Sequence, residues 1–122
     1  MSMKALQKLD HPLDLGCCRA IQITISNADR YPGTVALELL LIDTQLPGQR
    51  VQSLGQRDVL SRPDVKGLDR AVIPVTEVLE FPVPGSAQIR QFDGIQVLFH
   101  RAYFRVDRSA RISIEHFILV PP

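Results

Sequence analysis

The chain has 122 residues and a formal net charge of +1, which is the size of one domain and too short for two ordinary cores. Apolar residues make up 45% and charged residues 22%, a composition that excludes disordered, collagen-like and coiled-coil chains. The balanced charge offers little long-range attraction to nucleic acid or to an anionic membrane, so we predict no nucleic-acid partner.

The N-terminal residues predict neither a membrane span nor a signal peptide. No stretch of the chain reaches the ~20 apolar residues of a transmembrane helix, and residues 1–14 are charged and lack an apolar core region. We expect residues 1–15 to be a loosely ordered lead-in, since residues 3–9 could form only one or two helical turns. The domain is then expected to span 16–122, with a cytoplasmic location as the default unless the chain belongs to a longer protein.

Cys17 and Cys18 are adjacent, and the sequence contains no other cysteine. Neighbouring side chains of a strand point to opposite faces, so we expect no bond between them and instead one buried and one exposed thiol. An intermolecular disulfide or a reactive thiol is the alternative. Neither the cysteines nor the three histidines have the spacing of metal ligands, so we predict no metal and no cofactor.

Alternation of apolar and polar residues predicts the first two strands. In residues 17–27, Ile21, Ile23 and Ile25 share one face and polar residues occupy the other, which is typical of a half-buried strand. Turn-forming residues follow, and 34–43 predicts a second strand. The far end of that second strand is apolar on both faces, so we expect both of its faces to be covered.

Later segments predict further strands separated by turn residues. Residues 50–60 indicate a weak strand or two, interrupted by Gly55, and residues 75–83 indicate another. Pro82 lacks an amide hydrogen, which places it at a sheet edge or at a strand end. The last two predicted strands are 89–100 and 110–120.

The whole pattern is that of an all-β protein. Short alternating segments with turn signals about every ten residues predict an antiparallel β-sandwich of about six to eight strands. A parallel α/β fold requires crossover helices, and the chain contains no helical pattern of the necessary length.

The C-terminal segments resemble a known superfamily. Residues 92–99 (FDGIQVLF) and residues 112–119 (ISIEHFIL) are similar to the last two long strands of galactose-binding-like jelly-roll modules, whose closing strand has the form I-x-I-[DE]-x-[FIV]-x-[LV]. Many carbohydrate-binding modules belong to this superfamily. The resemblance implies a jelly-roll topology and a non-catalytic binding or accessory role, with carbohydrate or another anionic or polyhydroxy compound as the ligand. Such modules often use exposed tryptophan or tyrosine, and this sequence has no Trp and two Tyr.

The densest polar segment of the chain is 100–111, where four arginines surround two aromatic residues. Arginine forks suit carboxylates and phosphates, and aromatic rings can stack on sugars. We therefore predict a ligand site there, with a contribution from the turn after the first strand. The alternative is an exposed loop whose arginines pair with neighbouring carboxylates. The predicted site residues are Arg101, Tyr103, Arg105, Arg108 and Tyr31.

Enzymatic signatures are missing from the sequence. It contains no G-x-S-x-G elbow and no glycine-rich phosphate loop, and no two carboxylates are recognisable as a glycosidase pair. We predict that the protein is not an enzyme. Glu77 is unusual because alternation assigns it to the inward face, together with Leu79. An interaction or assembly domain of a larger bacterial protein, without a small ligand, is the alternative function, since 39–42 and 117–120 are apolar on both faces.

Overall fold

A computed structural model describes residues 3–28, 35–44, 50–61, 64–66, 71–85, 89–101 and 112–122. These ranges hold nine strands and one short 3-10 turn, and no α-helix. In chain order the elements are β1 (Met3–Asp14), the 3-10 turn (Leu15–Cys17), β2 (Ala20–Asn27), β3 (Val35–Asp43), β4 (Arg50–Asp58), β5 (Asp64–Lys66), β6 (Ala71–Ile73), β7 (Val75–Pro82), β8 (Gln91–Arg101) and β9 (Ile112–Val120).

Two antiparallel sheets form the body of the fold. One has four strands in the order β1-β8-β3-β4, and the other has three strands in the order β7-β2-β9. Strands β5 and β6 form a separate antiparallel pair. The predicted all-β sandwich is confirmed, and the strands of its two main sheets fall within the predicted number. The jelly-roll topology stays a prediction.

Alternate side chains of both sheets build a single core between them. Ile21, Ile23 and Ile25 of β2 are fully buried, as the alternation predicted. They pack in one cluster with inward residues of the other sheet such as Leu37 and Leu39. Burial of this kind contributes about 25 cal/mol for each Å² of apolar surface. The sandwich is therefore held together mainly by contact between the two inner faces.

The expected lead-in is instead the first strand of the four-stranded sheet. Met3 to Lys8 pair with Phe99 to Gly94 of β8, and Leu13 and Asp14 pair with Phe92 and Gln91 after an irregularity in β1. The expectation of a loosely ordered segment over 1–15 was therefore wrong. Ala, Leu, Gln and Lys are good helix formers, but helix propensity is a small free-energy preference, and pairing with a long neighbouring strand overrides it.

Cys17 and Cys18 form a disulfide, so the expectation of two separate thiols was also wrong. The physical reason is their local conformation. Cys17 is the last residue of the 3-10 turn and Cys18 is its extended C-cap. Neither residue belongs to a strand, and the rule that neighbours point to opposite faces does not apply there.

Strand β4 is one continuous strand with a bulge at the position that the sequence marked as an interruption. Between Glu38 and Leu40 of β3, the partner residues on β4 advance from Gln56 to Ser53, so β4 contains one additional residue. Gly55 has φ 101°, a backbone conformation that side chains with a Cβ rarely adopt. Glycine is what allows the strand to continue through the bulge.

Substitution of this glycine should reduce stability through the backbone conformation and not through a steric clash. A Cβ on Gly55 would meet only the end of the Arg57 side chain, at 4.0 Å. We expect Gly55→Ala to lower the free energy of unfolding by about 1–2 kcal/mol because of the positive φ, as measured by urea denaturation. Gly85→Ala is the matched control, since nothing lies within 4 Å of its added Cβ. Equal stability of the two variants would contradict the assigned bulge.

The proline of β7 lies where the sequence predicted. Pro82 is the last residue of the strand, and β7 lies at the edge of the three-stranded sheet. Leu79 and Phe81 are buried on its inner face. This prediction is confirmed.

Candidate functional site

Three polar side chains meet on the outer face of the four-stranded sheet. The Oε1 atom of Glu38 lies 3.0 Å from Nε2 of His100, and its Oε2 atom accepts a hydrogen bond of 2.9 Å from the Ser53 hydroxyl. The Ser53 oxygen itself accepts a bond of 3.1 Å from the Gly55 amide. We call Glu38, Ser53 and His100 the Glu38 cluster.

The register of three strands explains why these residues meet. Glu38 of β3 lies opposite Gln56 of β4 and opposite Leu98 of β8, and directly opposed residues share one face of a sheet. The bulge of β4 brings Ser53 to the same face as Gln56. His100 lies two residues beyond Leu98 and therefore also points outward.

The cluster is accessible and hydrogen-bonded at the same time. The side chains of His100 and Glu38 are 37% and 26% exposed. An ionised carboxylate can only accept hydrogen bonds, so the hydrogen of this contact belongs to Nε2 of the imidazole. The Ser53 hydroxyl likewise donates its hydrogen to Glu38. The carboxylate is thus oriented by two neighbours on an open sheet face.

The order of the three groups differs from that of a hydrolase. In a catalytic triad the histidine lies between the serine and the carboxylate and takes the proton of the serine. Here the carboxylate lies between Ser53 and His100, so the imidazole is not bonded to the hydroxyl. The order of contacts is therefore not that of a Ser-His-Asp triad.

Of the predicted site residues, the structure describes the backbone of one. Arg101 ends β8, adjacent to His100 of the Glu38 cluster, and is paired in register with Val35. Tyr31, Tyr103, Arg105 and Arg108 lie outside the described residues.

The strand ends that flank those residues lie at one end of the sandwich. Asn27, the last residue of β2, is paired with Ile112, the first residue of β9. The Asn27 side chain donates bonds of 2.9 Å to the carbonyl and hydroxyl oxygens of Ser61. The Val59 amide, two residues earlier, donates to the carbonyl of Val35. The segments after β2 and after β8 therefore both connect strand ends close to the Glu38 cluster.

A groove of about 540 Å³ runs between the edge strands β4 and β7. Arg57 crosses it, with its Nε donating to the Glu80 carbonyl at 3.2 Å and its guanidinium 5.7 Å from the centre of the Phe81 ring. Asp58 and Glu77 also line the groove. The groove is therefore lined by side chains of both charges. The side chain of Arg57 covers apolar surface at the edge of the core, and its guanidinium also presents charge to solvent.

The inward position of Glu77 has a structural explanation. Its two oxygens accept hydrogen bonds from the backbone amides of Leu60, at 3.2 Å, and Ser61, at 3.0 Å. These amides follow the end of β4 and belong to no strand. The carboxylate therefore fixes the turn after β4.

Loss of these two bonds should have a measurable cost. We expect Glu77→Ala to lower the free energy of unfolding by about 1–2 kcal/mol, because two backbone donors are left without an acceptor. Thermal denaturation followed by circular dichroism measures the change. Glu80→Ala is the matched control on the same strand, since its carboxylate is exposed and accepts a bond of 3.1 Å from the Gln22 side chain instead of from backbone amides. Similar losses in both variants would refute the role of Glu77.

The described residues contain no group of three or more His, Cys, Asp or Glu side chains that could hold a metal ion. In the same part of the chain, no helix is long and apolar enough to cross a membrane.

Comparison with known proteins leaves the site to be interpreted from its own geometry. No protein-family model, no curated protein and no solved structure matches the chain.

Sequence reasoning did not find the Glu38 cluster. Glu38 is the one acidic residue in the apolar run 35–42, but nothing in the sequence pairs it with Ser53 or His100. Their meeting depends on the pairing of β3 with β8 and on the bulge of β4. Neither the partner strand nor the register can be read from alternation alone.

Proposed function

We propose that the chain is a non-catalytic binding module for a polyhydroxy ligand, carbohydrate in the first place. The observation that carries the proposal is the Glu38 cluster on the exposed face of the four-stranded sheet. A carboxylate held in place by two neighbours is a ready acceptor for sugar hydroxyls, and hydrogen bonds to a charged acceptor are among the stronger ones.

The surroundings of the cluster supply complementary groups. Gln56 is exposed and lies opposite Glu38 on the same face, and its amide can both donate to and accept from a hydroxyl. Leu98, on the other side of Glu38, is half-buried and offers apolar surface to the C–H face of a sugar ring. A mixture of a few polar groups with apolar surface is typical of small-molecule sites.

The predicted residues of the arginine-rich segment complete this proposal. Arg101 is the last residue of β8, and Arg105, Arg108 and Tyr103 belong to the connection that follows it. Tyr31 belongs to the connection between β2 and β3, and both connections begin and end at the same end of the sandwich. In the proposed site the arginines bind anionic or hydroxyl groups and Tyr103 stacks on a ring. The resemblance to galactose-binding-like jelly-roll modules supports the same class of ligand.

A non-catalytic role is supported by the described carboxylates. Glu38 is shared between two side chains, Glu77 accepts from two backbone amides, and Glu80 accepts from Gln22. Glycoside hydrolysis requires an acid and a second carboxylate that face each other across the substrate. Here Glu38 and Glu80 belong to the outer faces of different sheets.

An interaction or assembly domain is the alternative function. The exposed large apolar side chains in the described ranges are dispersed between the two sheets, with Leu6 and Val51 on the outer edges of one and Val78 and Ile118 on the other. A docking surface usually presents such residues as one contiguous patch. The described surface therefore favours the ligand-binding proposal.

Screening the purified protein on a glycan array tests the proposal. For any glycan that binds, we expect Glu38→Gln and His100→Ala each to weaken affinity about tenfold. Glu38→Gln removes the charged acceptor for a sugar hydroxyl, and His100→Ala removes a hydrogen bond that orients this acceptor. Arg105→Ala with Arg108→Ala should abolish binding to an anionic glycan. Glu80→Ala is the control, since Glu80 lies on the other sheet. Absence of any bound glycan, or unchanged affinity of the Glu38 variant, would overturn the proposal.

A further inference from the structure

The disulfide between Cys17 and Cys18 lies at the junction of the two sheets. The 3-10 turn that contains Cys17 follows β1 of the four-stranded sheet, and β2 of the three-stranded sheet begins two residues after Cys18. A cavity of about 410 Å³ opens beside it, lined in part by Leu15, Cys18, Val83 and Arg90. None of these residues belongs to the Glu38 cluster.

This disulfide contributes little as a cross-link. A disulfide stabilises a fold mainly by closing a loop in the unfolded chain, and the gain grows with the number of residues in the loop. Cys17 and Cys18 are adjacent, so the closed loop is the smallest that a chain can form. Its function must therefore lie elsewhere than in the stability of the sandwich.

Hydrogen bonds hold the surrounding segment without the disulfide. The Asp14 carboxylate accepts a bond of 2.7 Å from the Gly16 amide, and the Leu15 amide donates to the Arg90 carbonyl at 2.8 Å. After the disulfide, the Arg19 amide donates to the Val120 carbonyl, and the Arg19 carbonyl accepts from the Val83 amide, both at 2.9 Å. The S–S bond can therefore open while the turn stays in place.

A reductant can reach the bond from the cavity. Cys17 is half-buried, and Cys18, although only 6% exposed, forms part of the cavity wall. Disulfides that react in folded proteins are those with such access, whereas structural ones are shielded.

We propose that Cys17 and Cys18 form a reversible redox site whose reaction partner is a dithiol. A thiolate of the partner attacks one Sγ, the Cys17–Cys18 bond breaks, and a mixed disulfide forms while the other cysteine leaves as a thiolate. The partner's second thiolate then attacks the mixed disulfide, releasing the first cysteine. The partner is oxidised to a disulfide, and the two cysteines take up the two protons that the partner's thiols have lost.

The test compares reduction of the native and the denatured protein. Protein purified without reductant should show no thiol that reacts with a maleimide, and treatment with dithiothreitol should add two reactive thiols per chain, measured by intact mass. We expect the native protein to be reduced within about tenfold of the rate in denaturant. If the bond were shielded, reduction would have to await unfolding and be slower by at least about a thousandfold, which would overturn the proposal.

Two further measurements distinguish a reversible dithiol site from cysteines that stay free or that link two chains. The reduced protein should bind one phenylarsine oxide per chain, since both thiols condense with one arsenic and release water. Cys17→Ser should lose this binding, with circular dichroism as the check on its fold. The midpoint of thermal unfolding should fall by no more than about 6 °C on reduction. Two free thiols without reductant, or a disulfide-linked dimer, would refute the proposal.

Discussion

Phe81→Ala is expected to lower the free energy of unfolding by about 3–5 kcal/mol, the range for truncating a fully buried aromatic side chain. Phe81 is 0% exposed and belongs to the core cluster between the two sheets. Its ring also lies under the guanidinium of Arg57, so the substitution removes this contact as well. Domains of this size are stable by about 5–15 kcal/mol, and the loss is therefore a large part of the total. Urea denaturation followed by fluorescence or circular dichroism measures it.

A control on the same strand separates core packing from strand propensity. Val78 is 51% exposed and faces away from the core, and Val78→Ala should change stability by less than about 1 kcal/mol. Phe81→Leu, which retains much of the buried volume, should fall between the two. If Phe81→Ala and Val78→Ala were equally stable, the inward face of β7 would be wrongly assigned.

The strands that follow regular alternation were predictable. Ile21, Ile23 and Ile25 of β2 share one face, and their burial followed from the two-residue period alone. The same alternation assigned Leu79 of β7 to the inward face, and Leu79 is buried. These conclusions depend only on which residues share a face, which a sequence states directly.

Features that depend on a partner strand were not predictable in the same way. β1 lacks a regular alternation of apolar and polar residues, and it is a strand because β8 offers an edge for pairing. In β9, a register shift between Thr24 and Ile25 of its partner places Ile114 and Phe117 on the same face, although they are three positions apart in the sequence. Such shifts require knowledge of the neighbouring strand.

The disulfide and the Glu38 cluster show the same limit at the level of side chains. For Cys17 and Cys18 the expected strand conformation excluded a bond, and the 3-10 turn removed that restriction. For Glu38 the residue type was informative, but its partners Ser53 and His100 come from two other strands. Local pattern predicts which side chains face outward, and the register of the sheet decides which of them meet.

Removal of residues 1–13 is expected to destabilise the fold by roughly 3 kcal/mol and to cause self-association. Leu9 and Leu13 pack partly against the core, and each such contact is worth about 1 kcal/mol when half of a leucine is buried. The backbone pairing of β1 with β8 is lost in addition. The truncated chain would expose the edge of β8, and an unpaired long strand is a template for pairing with another copy.

A substituted full-length chain distinguishes these two effects. Leu9→Ser with Leu13→Ser removes the apolar contacts but retains β1 over the edge of β8. We expect this variant to be less stable than the parent chain yet to elute as the same species in size-exclusion chromatography, whereas the truncated chain forms larger species in a concentration-dependent manner. If the truncated chain kept the parent's elution volume and urea midpoint, residues 3–13 would be a dispensable extension and their pairing with β8 would contribute nothing to stability.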